Sequence, residues 1–208
     1  MSRASDSAKV SRKIVIVKPN ETFEVIWIVW FVSWMAASFW SGRTEKRATT
    51  RETWIYRDTI FAGAILMTPW ATALLGVKPM WEVGTASAYV LIVLMLLGLL
   101  LTWLARIHLG RFWSSAITRK EHHRIIDTGP YAFVRHPIYT GIITALLATA
   151  VIQATLAALA GAALVIYGLW LKARAEERFL MVELGPVNYG SYCRRVPMLI
   201  PFLWHRSK

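Results

Sequence analysis

Acidic side chains are scarce in this 208-residue chain: 12 Asp and Glu stand against 24 Lys and Arg, for a formal net charge of +12. Cysteine is scarcer still. The lone Cys193 excludes an intrachain disulfide, and nothing in the sequence builds a structural zinc site. Also missing are a glycine-rich phosphate cradle, a His-Glu-x-x-His pair and a nucleophile elbow, three signatures of common enzyme classes. The basic excess forms no module of its own. Lys and Arg gather between and beyond the apolar runs, which is the flanking pattern of membrane helices and favours anionic lipid headgroups over nucleic acid.

Apolar residues are what the chain has in quantity: 56% of it is hydrophobic, with eleven Trp and seven Tyr suited to bilayer interfaces. Residues 22–40, 59–77 and 84–107 read as three spans, the second kinked at Pro69. Residues 138–171 are apolar too, but a single helix of that length would reach ~50 Å against a hydrocarbon core of roughly 30 Å. Two helices joined near Ile152-Gln-Ala154 fit better, although that turn has neither glycine nor proline. Residues 172–185 read as a charged amphipathic helix stopped by Gly185-Pro186. The fold expected is all-α: a multi-pass integral membrane bundle of about five transmembrane helices, ending in a helical hairpin.

Residues 1–21 form a polar, basic tail with a short Ile14–Val17 run. Met35-Ala-Ala-Ser38 has the small residues of a signal-peptide cleavage site, but the long polar lead and the later spans favour a retained helix. Five spans put 41–58, 108–136 and the C-terminal segment on one basic face, cytoplasmic by the positive-inside rule. The tail, with five Lys and Arg of its own, then lies opposite unless the first segment is interfacial; both arrangements stay open.

Chemistry concentrates in Gly129-Pro-Tyr-Ala-Phe-Val-Arg-His-Pro-Ile-Tyr-Thr-Gly141. Pro130 turns the chain and Pro137 starts an apolar helix, so Tyr131, Arg135, His136 and Tyr139 gather at a helix N-terminus, where free N–H groups suit an anion. The hairpin should return Lys172-Ala-Arg-Ala-Glu-Glu177 to the same face, building one pocket from two walls. Glu176 and Glu177 also fit ordinary surface pairs with Lys172 (i,i+4) and Arg174 (i,i+3). No metal is expected: His122 and His123 are adjacent and diverge by about 100° on a helix, without Cys or carboxylate at ligand spacing.

Gly129-Pro-Tyr131, Arg135-His-Pro-Ile-Tyr-Thr-Gly141, Glu176-Glu177 with Leu180 and Gly185, and Tyr189-x-x-Tyr192 with Pro197 and Pro201 occur in an order that resembles the isoprenylcysteine carboxyl methyltransferase family. That family belongs to a wider group of membrane methyltransferases that includes phospholipid N-methyltransferases. Leu109-Gly-Arg-Phe-Trp-Ser114 extends the likeness, which covers about residues 98–203.

The resemblance implies an integral-membrane enzyme that takes a methyl group from S-adenosyl-L-methionine at a cytosolic pocket. Its acceptor would be lipid-like or prenylated and enter from the bilayer, carboxyl O-methylation being favoured. Carried over by motif, the cofactor contacts would be His123, Arg124, Ile125, Ile126, Tyr131, His136, Pro137, Ile138, Tyr139 and Glu176. Lys172 stands where the family has an arginine four residues before that glutamate, so Lys172, Arg174 and Arg195 are the candidates for holding the acceptor. The chain then divides into a tail (1–21), N-terminal transmembrane helices (22–97) and a catalytic region (98–208). The alternatives are a phospholipid or small-lipid N-methyltransferase, a nicotinamide-dependent membrane reductase of the sterol-reductase type, and a non-catalytic membrane scaffold.

Overall fold

A computed structural model describes residues 19–40, 44–47, 51–110, 113, 118–120 and 125–202, and most of these are helical. Helix α1 runs Pro19–Ala36, α2 Arg51–Leu66, α3 Pro69–Leu74, α4 Thr85–Leu109, α5 Pro137–Gln153, α6 Leu156–Leu184 and α7 Asn188–Arg195. The basic tail expected before residue 19, with its Ile14–Val17 run, lies outside the described residues. Two helices, α4 and α6, are long and apolar enough to cross a bilayer, while Thr22–Ala36 and Pro137–Gln153 are shorter apolar helices.

Five helices run alternately between two ends of the bundle. At one end lie the last turn of α1, the first of α2, the last of α4, the start of α5 and the end of α6. Trp34 of α1 packs edge-on against Trp103 of α4, Arg178 of α6 pairs with Glu52 of α2, and Tyr139 of α5 bonds Glu176 of α6. The opposite end is closed by Gln153 Nε2 donating to the Met67 carbonyl at 2.8 Å and by Met80 N donating to the Ala154 carbonyl at 2.7 Å.

Close packing between helices depends on missing side chains. A Cβ at Gly98 of α4 would stand 2.6 Å from the Gly141 carbonyl oxygen of α5, and one at Gly141 would run into the Gly98 carbonyl oxygen. Small residues let backbones approach where lipid offers no hydrophobic drive between helices. Outward-facing positions are apolar instead: Phe31, Phe61, Trp70, Val90 and Leu97 are all exposed, the arrangement of a surface solvated by hydrocarbon.

Three local features differ from the sequence reading. The second span starts earlier, at Arg51, and breaks at Met67-Thr68, where the Thr68 hydroxyl accepts from Ala71 N and Pro69 opens α3. The hairpin turn is made without glycine or proline: Ala154 takes a left-handed conformation (φ 55°), and the Thr155 hydroxyl caps α6 by accepting from Ala158 N. The charged segment after Leu171 is no separate helix, because α6 continues unbroken to Leu184. Nothing between Leu171 and Lys172 interrupts the backbone; only the side-chain polarity changes.

A short antiparallel pairing joins Thr44–Arg47 (β1), in the α1–α2 connection, to Thr118–Lys120 (β2), in the α4–α5 connection. These are the only strands among the described residues, and they tie together two polar connections on the end that carries the Gly129–Gly141 motif. That matches the sequence expectation that segments 41–58 and 108–136 share a face.

Candidate functional site

Helix α5 begins at Pro137, whose missing N–H is no loss at a first helical position, and the first intrahelical bond runs from Thr140 N to the His136 carbonyl. Ile138 and Tyr139 therefore present N–H groups ahead of the helix's own ladder. The preceding residues are held from outside by an extended C-terminal stretch. Arg135 N donates to the Pro197 carbonyl at 2.9 Å, His136 N to the Met198 carbonyl at 3.1 Å, and the Thr140 hydroxyl to the Leu199 carbonyl at 2.6 Å.

Antiparallel α6 brings its two glutamates to the same spot. Arg135 takes both oxygens of Glu177, Nε to Oε1 at 2.7 Å and Nη2 to Oε2 at 3.1 Å, the bidentate geometry that suits guanidinium and carboxylate. His136 lies between the carboxylates, with Nε2 3.2 Å from Glu177 Oε1 and Nδ1 3.5 Å from Glu176 Oε2. The Tyr139 hydroxyl donates to Glu176 Oε1 at 2.7 Å, and its ring stacks on the His136 imidazole with centroids 5.3 Å apart. Lys172 Nζ stands 3.9 Å from Glu176 Oε1 and 5.3 Å from the centre of the Tyr139 ring.

An acceptor faces each nitrogen of His136, so the doubly protonated ring satisfies both. Burial pushes the imidazole pKa down, but hydrogen bonds to Glu176 and Glu177 outweigh that, and the net shift is upward. Burial likewise works against the Arg135 charge, and Glu177 more than restores it. Tyr131 is buried under the His108 ring, and burial drives its phenol pKa up, so it stays a neutral hydroxyl. Its carbonyl accepts from the Tyr192 hydroxyl at 2.8 Å, which fixes α7 against the motif.

The predicted site residues are only partly gathered. His136, Tyr139, Glu176 and Lys172 share one cluster; Pro137 is fully buried at the start of α5, and Ile138 packs into the α5–α6 core. Ile125 and Arg195 lie elsewhere, on a cavity of about 370 Å³ also lined by Asp127, Leu184, Asn188, Ser191 and Tyr192. Arg195 is paired there with Asp127 at 3.2 Å. Ile126 follows Ile125 and is half-buried. Arg174 points away from the cluster: it is exposed, with its guanidinium 5.0 Å from the Trp170 ring centre. His123 and Arg124 lie outside the described residues, as does His122.

Sequence reasoning missed the role of Arg135, which the helix-facing pairs Lys172–Glu176 and Arg174–Glu177 had obscured. The available signal was an arginine at one mouth of the hairpin and a second carboxylate at the other. Asp127, which pairs with Arg195 of the C-terminal helix, was missed as well, and Tyr192 was noted only as part of a motif; no spacing rule links either to its partner.

Residues 90–182 match the sequence model of the isoprenylcysteine carboxyl methyltransferase family. Among curated proteins the chain is similar to protein-S-isoprenylcysteine O-methyltransferase B of Arabidopsis thaliana, 26% identical over 130 residues, which is 62% of this chain and 64% of that protein. It is similar to methanethiol S-methyltransferase 2 of Bradyrhizobium diazoefficiens, 41% identical over 80 residues, 38% of this chain and 29% of that protein. A third relative, the cobalt-zinc-cadmium resistance protein CzcN of Cupriavidus metallidurans, is 32% identical over 113 residues, 53% of this chain and 50% of that protein. The chain thus spans less than two thirds of the length of each of these three relatives. Residues 90–182 are thus the part of the chain similar to the isoprenylcysteine carboxyl methyltransferase family.

Proposed function

We propose that this chain is a multi-pass integral membrane methyltransferase that uses S-adenosyl-L-methionine and acts on a lipid-like or prenylcysteine-type acceptor, with carboxyl O-methylation favoured. The observation that carries the reading is the family match over residues 90–182, which includes every member of the His136–Tyr139–Lys172–Glu176 cluster. Relatives named for methyl transfer to an isoprenylcysteine and to methanethiol support methyl transfer as the shared chemistry and leave the acceptor open. The alternating helices and their exposed apolar faces support five membrane crossings, α2 and α3 together making one. The basic connections at the site-bearing end support a cytoplasmic active site.

The donor set fits the cofactor. Glu177 is committed to Arg135 and His136, whereas the Glu176 carboxylate has one oxygen engaged by Tyr139 and the other only loosely by His136. Glu176 therefore keeps acceptor capacity for an ammonium or a ribose hydroxyl, and the open N–H groups at the start of α5 would hold a carboxylate, with the charge of His136 beside them. Tyr139 offers an aromatic face to a cation. Bound there, S-adenosyl-L-methionine would supply an electrophilic methyl group.

Lys172 would hold the acceptor's anionic end, as a point charge without the fork of an arginine. A carboxylate nucleophile carries no proton to remove, so the chain's share is alignment and exclusion of water. An amine acceptor would need a base, and Glu177 and His136 are both engaged in their own pairs, which favours the carboxylate. Incubating membranes containing the protein with methyl-labelled S-adenosyl-L-methionine tests the reading: a labelled lipid or prenylated protein, absent with Glu176→Gln, is expected. Binding of NADPH in place of S-adenosylhomocysteine would overturn it in favour of a reductase.

A further inference from the structure

Arg106, in the last turn of α4, is only 3% exposed, and its Nη2 has no hydrogen-bond partner. Its single hydrogen bond among the described residues is a long one, Nη1 to the Trp34 carbonyl at 3.4 Å. It takes part in no ion pair among those residues. Aromatic rings surround it instead: the guanidinium carbon lies 3.5 Å from the centre of the Trp113 ring, 4.3 Å from that of Trp34 and 5.8 Å from that of Trp103. Trp34 and Trp113 stand perpendicular to each other, and Trp30 stacks behind Trp34 at 5.0 Å.

Cation–π attraction offsets part of the cost of burying this charge, but it does nothing for N–H donors in the guanidinium plane. Rings close against the cation limit approach to its edge, and an arginine edge is a planar fork that matches the oxygens of a phosphate. Depth narrows the choice of anion. Arg106 lies at the end of the bundle where α1 and α4 both finish, the level at which tryptophan belts meet lipid headgroups. Phe31, Val32 and Met35 expose an apolar surface along the adjoining turns of α1, suited to acyl chain.

We propose that Arg106, within its cage of Trp34, Trp103 and Trp113, is a binding site for a phosphate group, supplied by a lipid headgroup or by free phosphate. Trp113 lies beyond the end of α4, whereas Trp34 and Trp103 lie within helices, so the cage joins two helices to the connection after α4. The site is independent of the methyl-transfer reading: residues two apart on a helix point about 200° apart, so Arg106 faces α1 while His108 faces the motif at Gly129 and Tyr131.

Native mass spectrometry of the full chain in neutral detergent tests this with phosphatidic acid, phosphatidylglycerol, diacylglycerol and inorganic phosphate as probes. One bound phospholipid is expected, with little retention of diacylglycerol, and about tenfold weaker binding in Arg106→Gln, with Arg106→Lys between the two. Displacement of the lipid by inorganic phosphate at matching concentrations would assign the site to the free anion; resistance to it would assign the site to the headgroup. Equal retention of diacylglycerol and phospholipid, or unchanged affinity in Arg106→Gln, would overturn the proposal. The diacylglycerol comparison needs only the wild-type protein, so it decides even if the variant does not fold.

Discussion

The guanidinium of Arg135 grips both carboxylate oxygens of Glu177, with Nε 2.7 Å from Oε1 and Nη2 3.1 Å from Oε2. The same side chain donates from Nη1 to the carbonyls of Cys193 and Val196. One residue thus fastens the start of α5, the end of α6 and the C-terminal stretch together. Arg135→Ala takes the bidentate partner from a mostly buried carboxylate, leaving it His136 alone, and should cost about 3 kcal/mol of stability, on the order known for broken buried pairs. Thermal unfolding in detergent, with a double-mutant cycle against Glu177→Gln, measures it. Limited proteolysis should also show earlier cleavage after residue 193 in the variant.

Ala154 closes the α5–α6 hairpin with a positive φ of 55°, a conformation that costs a residue with a Cβ roughly 1 kcal/mol. Ala154→Gly should therefore be neutral or stabilising by up to about 1 kcal/mol, the added chain entropy of glycine taking back part of the gain. Unfolding midpoints of the two proteins check this. A loss of more than that would mean the buried methyl of Ala154 matters more than the backbone.

His136 has a pKa raised above its ordinary value of 6.5 by the two glutamates, against the effect of burial. A raised folded-state pKa means that the protonated ring stabilises the fold. That contribution is complete below the unfolded value and disappears as pH rises through the folded one. The stability advantage of wild type over His136→Asn should accordingly shrink as pH rises above the ordinary imidazole value of 6.5. An advantage that grows with pH would show that the neutral ring is the one the site prefers.

Lys172 holds the position proposed for anchoring the acceptor, 3.9 Å from Glu176. Lys172→Ala should raise the acceptor KM by about tenfold, the scale of one lost charge-assisted contact, with little change in cofactor Kd. Lys172→Arg should keep most of the affinity, since it restores charge and adds a fork. An equal loss of cofactor affinity in Lys172→Ala would move this residue to the other side of the pocket.

The helices were legible because apolar run length against bilayer thickness is a strong constraint: it forced two helices onto residues 138–171, and α5 and α6 are those two. It also placed Lys172–Glu177 beside Arg135–Tyr139 before any coordinates, since a hairpin must return to the face it left. The turn at Ala154 was less legible, because a left-handed alanine carries no compositional mark. Continuity of α6 beyond Leu171 was hidden by the change from apolar to charged residues, which alters the solvent and not the helix. The resemblance set Glu176 apart from Glu177 as a cofactor contact, but the physical basis of that difference was invisible, since it depends on Arg135 reaching across from another helix at 2.7 Å. Arg106 could not be singled out either: its cage draws Trp34 from α1 and Trp113 from the connection after α4.

Glu177 is occupied by Arg135 and His136, while Glu176 keeps acceptor capacity beside Tyr139, and on that difference the proposed cofactor site rests. Calorimetric titration of S-adenosylhomocysteine into the purified protein, Glu176→Gln and Glu177→Gln measures it. The account predicts binding weakened about tenfold or more in Glu176→Gln, the cost of a lost charge-assisted contact, and a much smaller change in Glu177→Gln, whose defect should appear as lowered thermal stability. Equal effects of the two substitutions on affinity, or none from either, would contradict it.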